Sequence, residues 1–275
     1  MAEAPVQGYP GWELVGPADV ANIGSDSICS LDAQTAWAVF TSYLFSTETT
    51  FRTTDGGQSW TPLRSREGFL FGRVSALDHS LAWASGLATP SAWEGETGNF
   101  GAVIEKTTDG GVNWSTLCML PNLIPPKLIP LGANDLWMLG VEVTDTGGYY
   151  ACVKRSSDGG KHWRHQYTSP QFWETTGSPG EISPAYLFSN WFDMDAADHK
   201  TAWVAILGNI IKSEDGGNTW NTQISKPAFE YDLLFHRVTA VSIPGLPGSP
   251  AAPRSSRPAT EERDGPCSTR SSRAK

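Results

Sequence analysis

The sequence predicts an all-β protein, a β-propeller built of four-stranded blades. Three observations predict this fold: a turn motif recurs four times, glycine and tryptophan are abundant, and charged residues are scarce. The 275 residues include 28 glycines and 12 tryptophans, and 18% of them are charged. This composition favours short strands joined by tight turns over helical bundles and coiled coils.

The recurring motif reads [S/T]-x-D-G-G-x-x-W, and each of its residue types suits a tight turn between two strands. Aspartate accepts backbone N–H groups, glycine adopts positive φ without steric cost, and the Ser or Thr hydroxyl adds a hydrogen bond. The tryptophan begins the next strand and offers a large apolar face to a neighbouring unit. We therefore expect these residues to be structural rather than catalytic. The four copies contain Thr53, Asp55, Gly57 and Trp60; Thr107, Asp109, Gly111 and Trp114; Ser156, Asp158, Gly160 and Trp163; and Ser213, Asp215, Gly217 and Trp220.

A second element precedes each copy and places another tryptophan on a strand. Asp32 precedes Trp37 in the first unit, and Asp195 precedes Trp203 in the last. Each unit then divides into four strands, A to D. In the second unit these strands are predicted at 74–77, 81–85, 102–107 and 114–117. A four-stranded sheet that repeats roughly every 50 residues is typical of a propeller blade.

The motif is the Asp-box, and residues 12–243 resemble the Asp-box (BNR-type) β-propellers. That group includes sialidases, xyloglucan-hydrolysing glycosidases, sortilin receptors and the photosystem II assembly and stability factors. The Trp-Ala-Val strand followed by T-x-D-G-G-x-x-W is most similar to the photosystem II factor type. The resemblance implies a fold far more specifically than a function, because the fold hosts unrelated activities. This chain also has fewer units than those relatives.

The repeats define the predicted domain organisation. Four complete units occupy roughly 26–225, preceded by a lone D strand at 12–15 and followed by the A strand of a fifth unit at 237–243. We expect an N-terminal extension at 1–11 and a propeller at 12–243 that is truncated relative to its relatives. An incomplete ring leaves two sheet edges unpaired, which favours self-association.

Residues 244–275 form a tail of different composition. The segment is rich in Pro, Ser, Ala and Arg and lacks periodic apolar residues, so it is predicted to be disordered. The composition changes abruptly within a blade. A truncated or frame-shifted reading frame and a genuine flexible tail both account for this change.

Charge and composition exclude several classes of function. The net charge of −9 opposes binding to phosphate backbones. No apolar run is long enough to cross a membrane, and the first residues lack the features of a signal peptide. We therefore expect an intracellular protein, unless a leader is missing from the sequence. We expect neither cofactor nor metal, because no phosphate-binding loop is present and His162 and His165 point to opposite faces of a strand.

A candidate ligand face follows from the order of the strands. The Asp-box turns occupy one face of the propeller, and the B–C and D–A loops occupy the other, where propellers commonly bind ligands. Two long loops on this second face carry Trp–Glu pairs, which suit stacking on sugars or gripping a peptide. The alternative is that these tryptophans cover the blade edge beneath the loops. The candidate residues are Trp93, Glu94, Glu96, Trp173 and Glu174, with Arg64, Arg66 and Arg73 nearby.

Two functions remain open from the sequence. The favoured one is a non-catalytic binding or assembly scaffold with a protein partner, as the resemblance to the photosystem II factors implies. The alternative is a glycoside hydrolase or carbohydrate-binding propeller that uses the same face for a glycan. A glycosidase needs two carboxylates about 5–9 Å apart, one of them with a raised pKa. The Arg-Ile-Pro motif of sialidases is absent from the sequence, and we assign no catalytic residue.

Overall fold

The structure, a computed structural model, describes residues 24–42, 46–90, 92, 100–171, 173–174, 192–206 and 208–225. Within these ranges every regular element is a β-strand. The part of the chain that the structure describes therefore contains no helix able to cross a membrane. The predicted all-β class is confirmed.

The strands form four antiparallel sheets, the blades, in which the four main strands pair in chain order; a short fifth strand in the third sheet pairs with the third strand of that sheet. Blade 1 contains β1 (Gly24–Ser30), β2 (Ala36–Ser42), β3 (Thr47–Thr53) and β4 (Thr61–Glu67). Blade 2 contains β5 (Phe69–Ala76), β6 (Ala82–Ala88), β7 (Gly101–Thr107) and β8 (Ser115–Pro121). Blade 3 contains β9 (Leu123–Pro130), β10 (Leu136–Val143), β11 (Gly148–Ser156), β12 (Arg164–Thr168) and the short β13 (Trp173–Glu174). Blade 4 contains β14 (Asp193–Ala196), β15 (Ala202–Ile206), β16 (Asn209–Ser213) and β17 (Asn221–Ser225).

The predicted propeller of four-stranded blades is confirmed, and the second unit shows how closely the strands agree. Its four strands lie where the sequence places them, but the A strand begins earlier and the D strand ends later. The A strand is longer because β4 and β5 are separated by Gly68 alone, whose φ of 75° turns the chain in a single residue. Asn122, with φ 54°, makes the same one-residue link between β8 and β9.

Several predicted segments lie outside the described residues. These are the N-terminal extension 1–11, the lone D strand 12–15, the A strand 237–243 and the tail 244–275. The proposed domain boundaries therefore remain predictions.

The two ends of each blade are chemically different. At one end, the first glycine of each Asp-Gly-Gly turn donates its N–H to a carbonyl of the A–B turn in the same blade. The four distances are equal at 2.9 Å, for Gly56 to Gln34, Gly110 to Ser80, Gly159 to Asn134 and Gly216 to Lys200. We call this end the turn face. The B–C hairpins and D–A links lie at the opposite end, the loop face.

The A–B turns correct one element of the predicted repeat. Asp32 and Asp78 each accept two backbone N–H groups of their turn and lie five residues before the B-strand tryptophan. In blade 4 the residue that does this is Asp198, which accepts the N–H groups of Lys200 and Thr201 at 2.7 Å. Asp195, which the sequence comparison assigned to this position, lies within β14 and pairs with Trp203. A spacing of five residues to the B-strand tryptophan identifies the equivalent aspartate in blades 1, 2 and 4.

The core lies between the blades and is centred on the B-strand tryptophans. Trp37, Trp83 and Trp137 are fully buried, each against the following blade. Trp37 makes an edge-to-face contact with Trp114 at 6.2 Å, and Trp137 does the same with Trp220. The A strands of successive blades also contact one another, so their side chains line the inner side of the assembly.

Candidate functional site

The conserved form of the Asp-Gly-Gly turn is explained by its hydrogen bonds. In blade 1 the Thr53 hydroxyl donates to Asp55 at 2.8 Å and accepts the Gly57 N–H at 2.9 Å. Asp55 also accepts the backbone N–H and the hydroxyl of Ser59, at 2.9 and 2.6 Å. The same pattern recurs in the other three turns, where the residue four positions after the aspartate is Asn113, His162 or Thr219.

These hydrogen bonds stabilise the charged form of the aspartates. Donation by the Ser59 side chain and backbone holds the pKa of Asp55 at about 2, and donation by Asn113 does the same for Asp109. Partial burial raises the pKa of Asp158, but hydrogen bonds from His162 outweigh it and bring the pKa to about 2. A carboxylate committed to its own turn and ionised at all physiological pH values is poorly suited to general acid–base catalysis.

The predicted ligand residues are only partly placed. Trp93, Glu94 and Glu96 lie outside the described residues. Trp173 and Glu174 form β13, which pairs with Tyr149 and Gly148 at the start of β11. This pairing continues the outer edge of blade 3 beyond β12, at the loop face. The backbone of this Trp–Glu pair is thus at the rim of the loop face, not at the A strands. The ligand role of all five residues stays a prediction.

The structure brings together four charged side chains that the sequence did not connect. Arg66 donates to Glu48 at 2.6 Å and to Glu105 at 2.5 Å, and Arg64 donates to Glu105. The Arg64 Nη2 atom lies 3.8 Å from Glu48 Oε1. Three of these residues belong to β3 and β4 of blade 1, whereas Glu105 belongs to β7 of blade 2. We call this group the Glu48 cluster.

The Glu48 cluster is buried within the contact between blades 1 and 2. The side chain of Glu48 is 1% exposed, and those of Arg64, Arg66 and Glu105 are 12–13% exposed. Arg64 stacks over Trp114 at 4.2 Å, and Arg66 stacks over Phe69 at 3.9 Å. The two arginines, expected beside an exposed ligand surface, therefore belong to an interface between blades.

A separate pocket lies among the A strands towards the loop face. Two basic side chains, Arg73 of β5 and Lys127 of β9, line it together with a mainly apolar wall. The empty space at this site, about 320 Å³, includes open solvent, and the space that the protein itself encloses is close to that of a single water molecule. The Lys127 ammonium is 2.6 Å from Asp193 Oδ1 and 35% exposed. The rest of the wall consists of Ile124, Leu139, Gly140, Val141 and Phe192.

Sequence reasoning placed Arg73 near the ligand face but missed Lys127. Position 127 follows two prolines and precedes Leu-Ile, so nothing in its neighbourhood marks it as functional. Only the adjacency of β5 and β9, which belong to different blades, brings the two cations together. Across the described ranges, no group of three or more His, Cys, Asp or Glu side chains is arranged to hold a metal ion.

Comparison with known proteins returns structural matches alone: no family model and no curated protein matches the sequence. The α-L-arabinofuranosidase Arb93A from Fusarium graminearum matches with a TM-score of 0.45 and 13% identity, over 72% of this chain and 66% of that one. The Hadza microbial sialidase Hz136 matches with a TM-score of 0.47 and 13% identity, over 74% of this chain and 46% of that one. A PL25 ulvan lyase matches with a TM-score of 0.43 and 10% identity, over 71% and 54%. The chain thus spans about half to two thirds of the length of these structures.

Proposed function

We propose that this chain is a carbohydrate-binding propeller that holds a carboxylate-bearing saccharide in the pocket between Arg73 and Lys127. The observation that carries the proposal is the pairing of two cations from neighbouring blades with an apolar wall in one pocket. Ligand sites are commonly concave and mainly apolar, with few polar groups that fix orientation. The resemblance of the motif to glycan-acting propellers supports the same class of ligand.

The lining groups differ in what they can offer a ligand. Leu139, Val141 and Phe192 are 5–7% exposed and pack in the core, so they form the base of the site and present little surface to a sugar. The guanidinium of Arg73 suits a carboxylate, which it can bind through two parallel N–H groups. Asp193 offsets part of the positive charge, because its carboxylate lies 2.6 Å from the Lys127 ammonium.

We propose binding without hydrolysis because of where the paired carboxylates lie. Glu48 and Glu105 are two carboxylates joined by one guanidinium, since Arg66 donates to both. A side chain added at Gly72 or Gly86 would collide with Glu48, so this carboxylate is covered by backbone. It therefore has no room to act on a glycosidic bond.

The test is a calorimetric titration with acidic and matched neutral saccharides, for example sialyllactose against lactose and digalacturonate against maltose. We expect binding of an acidic member only, and a loss of about 10- to 100-fold for Arg73→Gln, the value of a charge-assisted hydrogen bond. Lys127→Gln should lose less, because an ammonium meets a carboxylate as a point charge and lacks the two parallel N–H groups of a guanidinium. Lys161→Gln, an exposed change at the turn face, is the matched control. Equal binding of neutral sugars, or an unaffected Arg73→Gln, would contradict the proposal.

A protein-assembly scaffold of the photosystem II factor type is the second candidate. The placement of β13 at the rim of the loop face favours it, because a rim tryptophan suits a broad protein surface better than a ligand at the A strands. A photo-crosslinking residue at position 173, compared with one at position 161, tests it. Capture of one defined subunit at 173 alone supports the scaffold, and equal labelling at both positions counts against it.

A further inference from the structure

The Glu48 cluster differs from its equivalents in the other blades. Glu48 lies five residues before the Thr of its Asp-Gly-Gly turn, and the residues five positions before Thr107 and Ser156 are Ala102 and Ala151. Both alanines are fully buried between blades. A buried carboxylate thus occupies a position at which the same fold elsewhere uses a methyl group.

The surroundings of Glu48 leave its carboxylate incompletely satisfied. Glu48 Oε1 accepts from Arg66, but Glu48 Oε2 is buried and has no hydrogen-bond partner. An added Cβ at Gly86 would lie 2.6 Å from this oxygen, and one at Gly72 would also overlap it. The absence of side chains at both glycines brings backbone against the carboxylate and keeps water away from it. Burying a charged carboxylate in this way is costly.

We propose that the Glu48 cluster makes the contact between blades 1 and 2 proton-linked, so that the contact is strengthened when Glu48 takes up a proton in mildly acidic solution. Among the residues that the structure describes, the charged groups that face Glu48 all belong to the cluster: Arg64 and Arg66 from β4, and Glu105 from β7. The strands β5 and β6 contribute Gly72 and Gly86, and β2 contributes Thr41, which lies opposite Glu48 in register.

The sign of the effect follows from these neighbours. Burial raises the pKa of Glu48, the two guanidinium groups oppose this, and Glu105 adds to it. A group whose pKa is higher in the folded state than in the unfolded state contributes stability at low pH that is lost as the pH rises through the folded-state value. When Glu48 is protonated, Arg64 and Arg66 still form ion pairs with Glu105, and their side chains are 12–13% exposed to water.

The experiment measures the equilibrium constant for unfolding by denaturant between pH 4.5 and 8, for the full chain and for Glu48→Gln. The ratio of the wild-type and Glu48→Gln unfolding constants at each pH cancels the contribution that the five histidines make to both. We expect the wild-type constant to rise with pH, relative to the variant, by up to tenfold per pH unit. Glu214→Gln, which removes an exposed ion pair with Lys212 in blade 4, should keep the wild-type pH profile.

The proposal would be overturned if the wild-type unfolding constant, relative to that of Glu48→Gln, did not change with pH or fell as the pH rose. If Glu48→Gln does not fold, the side-chain carboxyl carbons of the wild-type protein can be followed by NMR after labelling with ¹³C-glutamate. One glutamate carboxyl that titrates above the ordinary range of glutamate supports proton linkage. If all the glutamate carboxyls titrate within or below that range, proton linkage is excluded.

Discussion

The contact between blades 1 and 2 and the contact between blades 2 and 3 use the same backbone but are filled with different chemistry. The first holds four charged side chains, whereas the corresponding part of the second is apolar and includes Ala102, Ile104 and Cys118. Turns, register and the buried tryptophan are common to both. The repeated motif therefore determines the backbone and the turn, whereas the side chains buried in each contact between blades can differ.

A second difference concerns the buried tryptophan itself. Trp83 donates its indole N–H to Gly159 O at 2.8 Å, whereas the indole N–H of Trp37 has no partner. The carbonyl equivalent to Gly159 O is Gly110 O, which accepts from Arg52 at 3.1 Å. The residue equivalent to Arg52 in blade 2 is Lys106, which donates to Ala133 O instead. The indole N–H of Trp137 also has no partner, although its neighbour Arg155 donates to Asp135.

The largest expected effect comes from exchanging a residue between the two contacts. Glu48→Ala deletes a buried side chain and leaves the Arg66 N–H that donates to it without an acceptor, at a cost of about 1–3 kcal/mol. The converse change, Ala102→Glu, places an unpaired carboxylate in the apolar contact and should be destabilising by several kcal/mol, of order 3–5. Urea denaturation of both variants measures the free energies of unfolding.

Replacing the whole cluster is the control for this comparison. Glu48→Ala combined with Arg64→Leu, Arg66→Leu and Glu105→Gln removes every charge together, so none is left buried without a partner. Such replacements are commonly neutral or stabilising by about 1–4 kcal/mol. A loss below about 1 kcal/mol for Glu48→Ala, or a quadruple variant less stable than Glu48→Ala, would show that the two contacts do not differ in the way described.

A smaller effect should follow from exchanging the basic residues of the two contacts. Arg52→Lys should release Gly110 O to the indole of Trp37 and increase the free energy of unfolding by about 1 kcal/mol, the net value of a buried hydrogen bond. The cation over the indole ring, at 5.0 Å from Arg52 and 4.7 Å from Lys106, is retained. Lys106→Arg should lose a similar amount. Hydrogen exchange of the Trp37 indole N–H reports the new bond, and an unchanged exchange rate would refute it.

The sequence predicted the fold because the turn leaves few alternatives. Asp55 must accept several donors, and Gly56 and Gly57 adopt φ values of 75° and 91°, so the motif survives in recognisable form. The capping residue four positions after each aspartate was missed, although its side chain can form a hydrogen bond in every copy. Asp198, and not Asp195, lies five residues before its tryptophan, as Asp32 and Asp78 do, so the spacing is the signal that identifies it.

The candidate site was less predictable because its parts are distant in sequence. Glu48 and Glu105 belong to different blades, and so do Arg73 and Lys127. No local pattern marks residues that meet only when two sheets pack together. The strand around Glu48, Thr47–Thr53, is polar at every position except Phe51, as a solvent-exposed strand would be, yet Glu48 and Thr50 are buried.

The smallest expected effect concerns the turns, which both contacts share. The pKa of Asp109 and of Asp158 is about 2 in the folded protein, below the ordinary value of 3.8. A lowered pKa contributes stability that is present above the unfolded-state value and is lost as the pH falls from about 4 towards 2. Asp109→Asn and Asp158→Asn should each weaken the dependence of the denaturation midpoint on pH in this range, and by similar amounts. Asp145→Asn, in the exposed β10–β11 hairpin, is the control. Unequal effects would mean that the turn is not an equivalent part of the two contacts, and that their difference extends beyond the Glu48 cluster to the repeat itself.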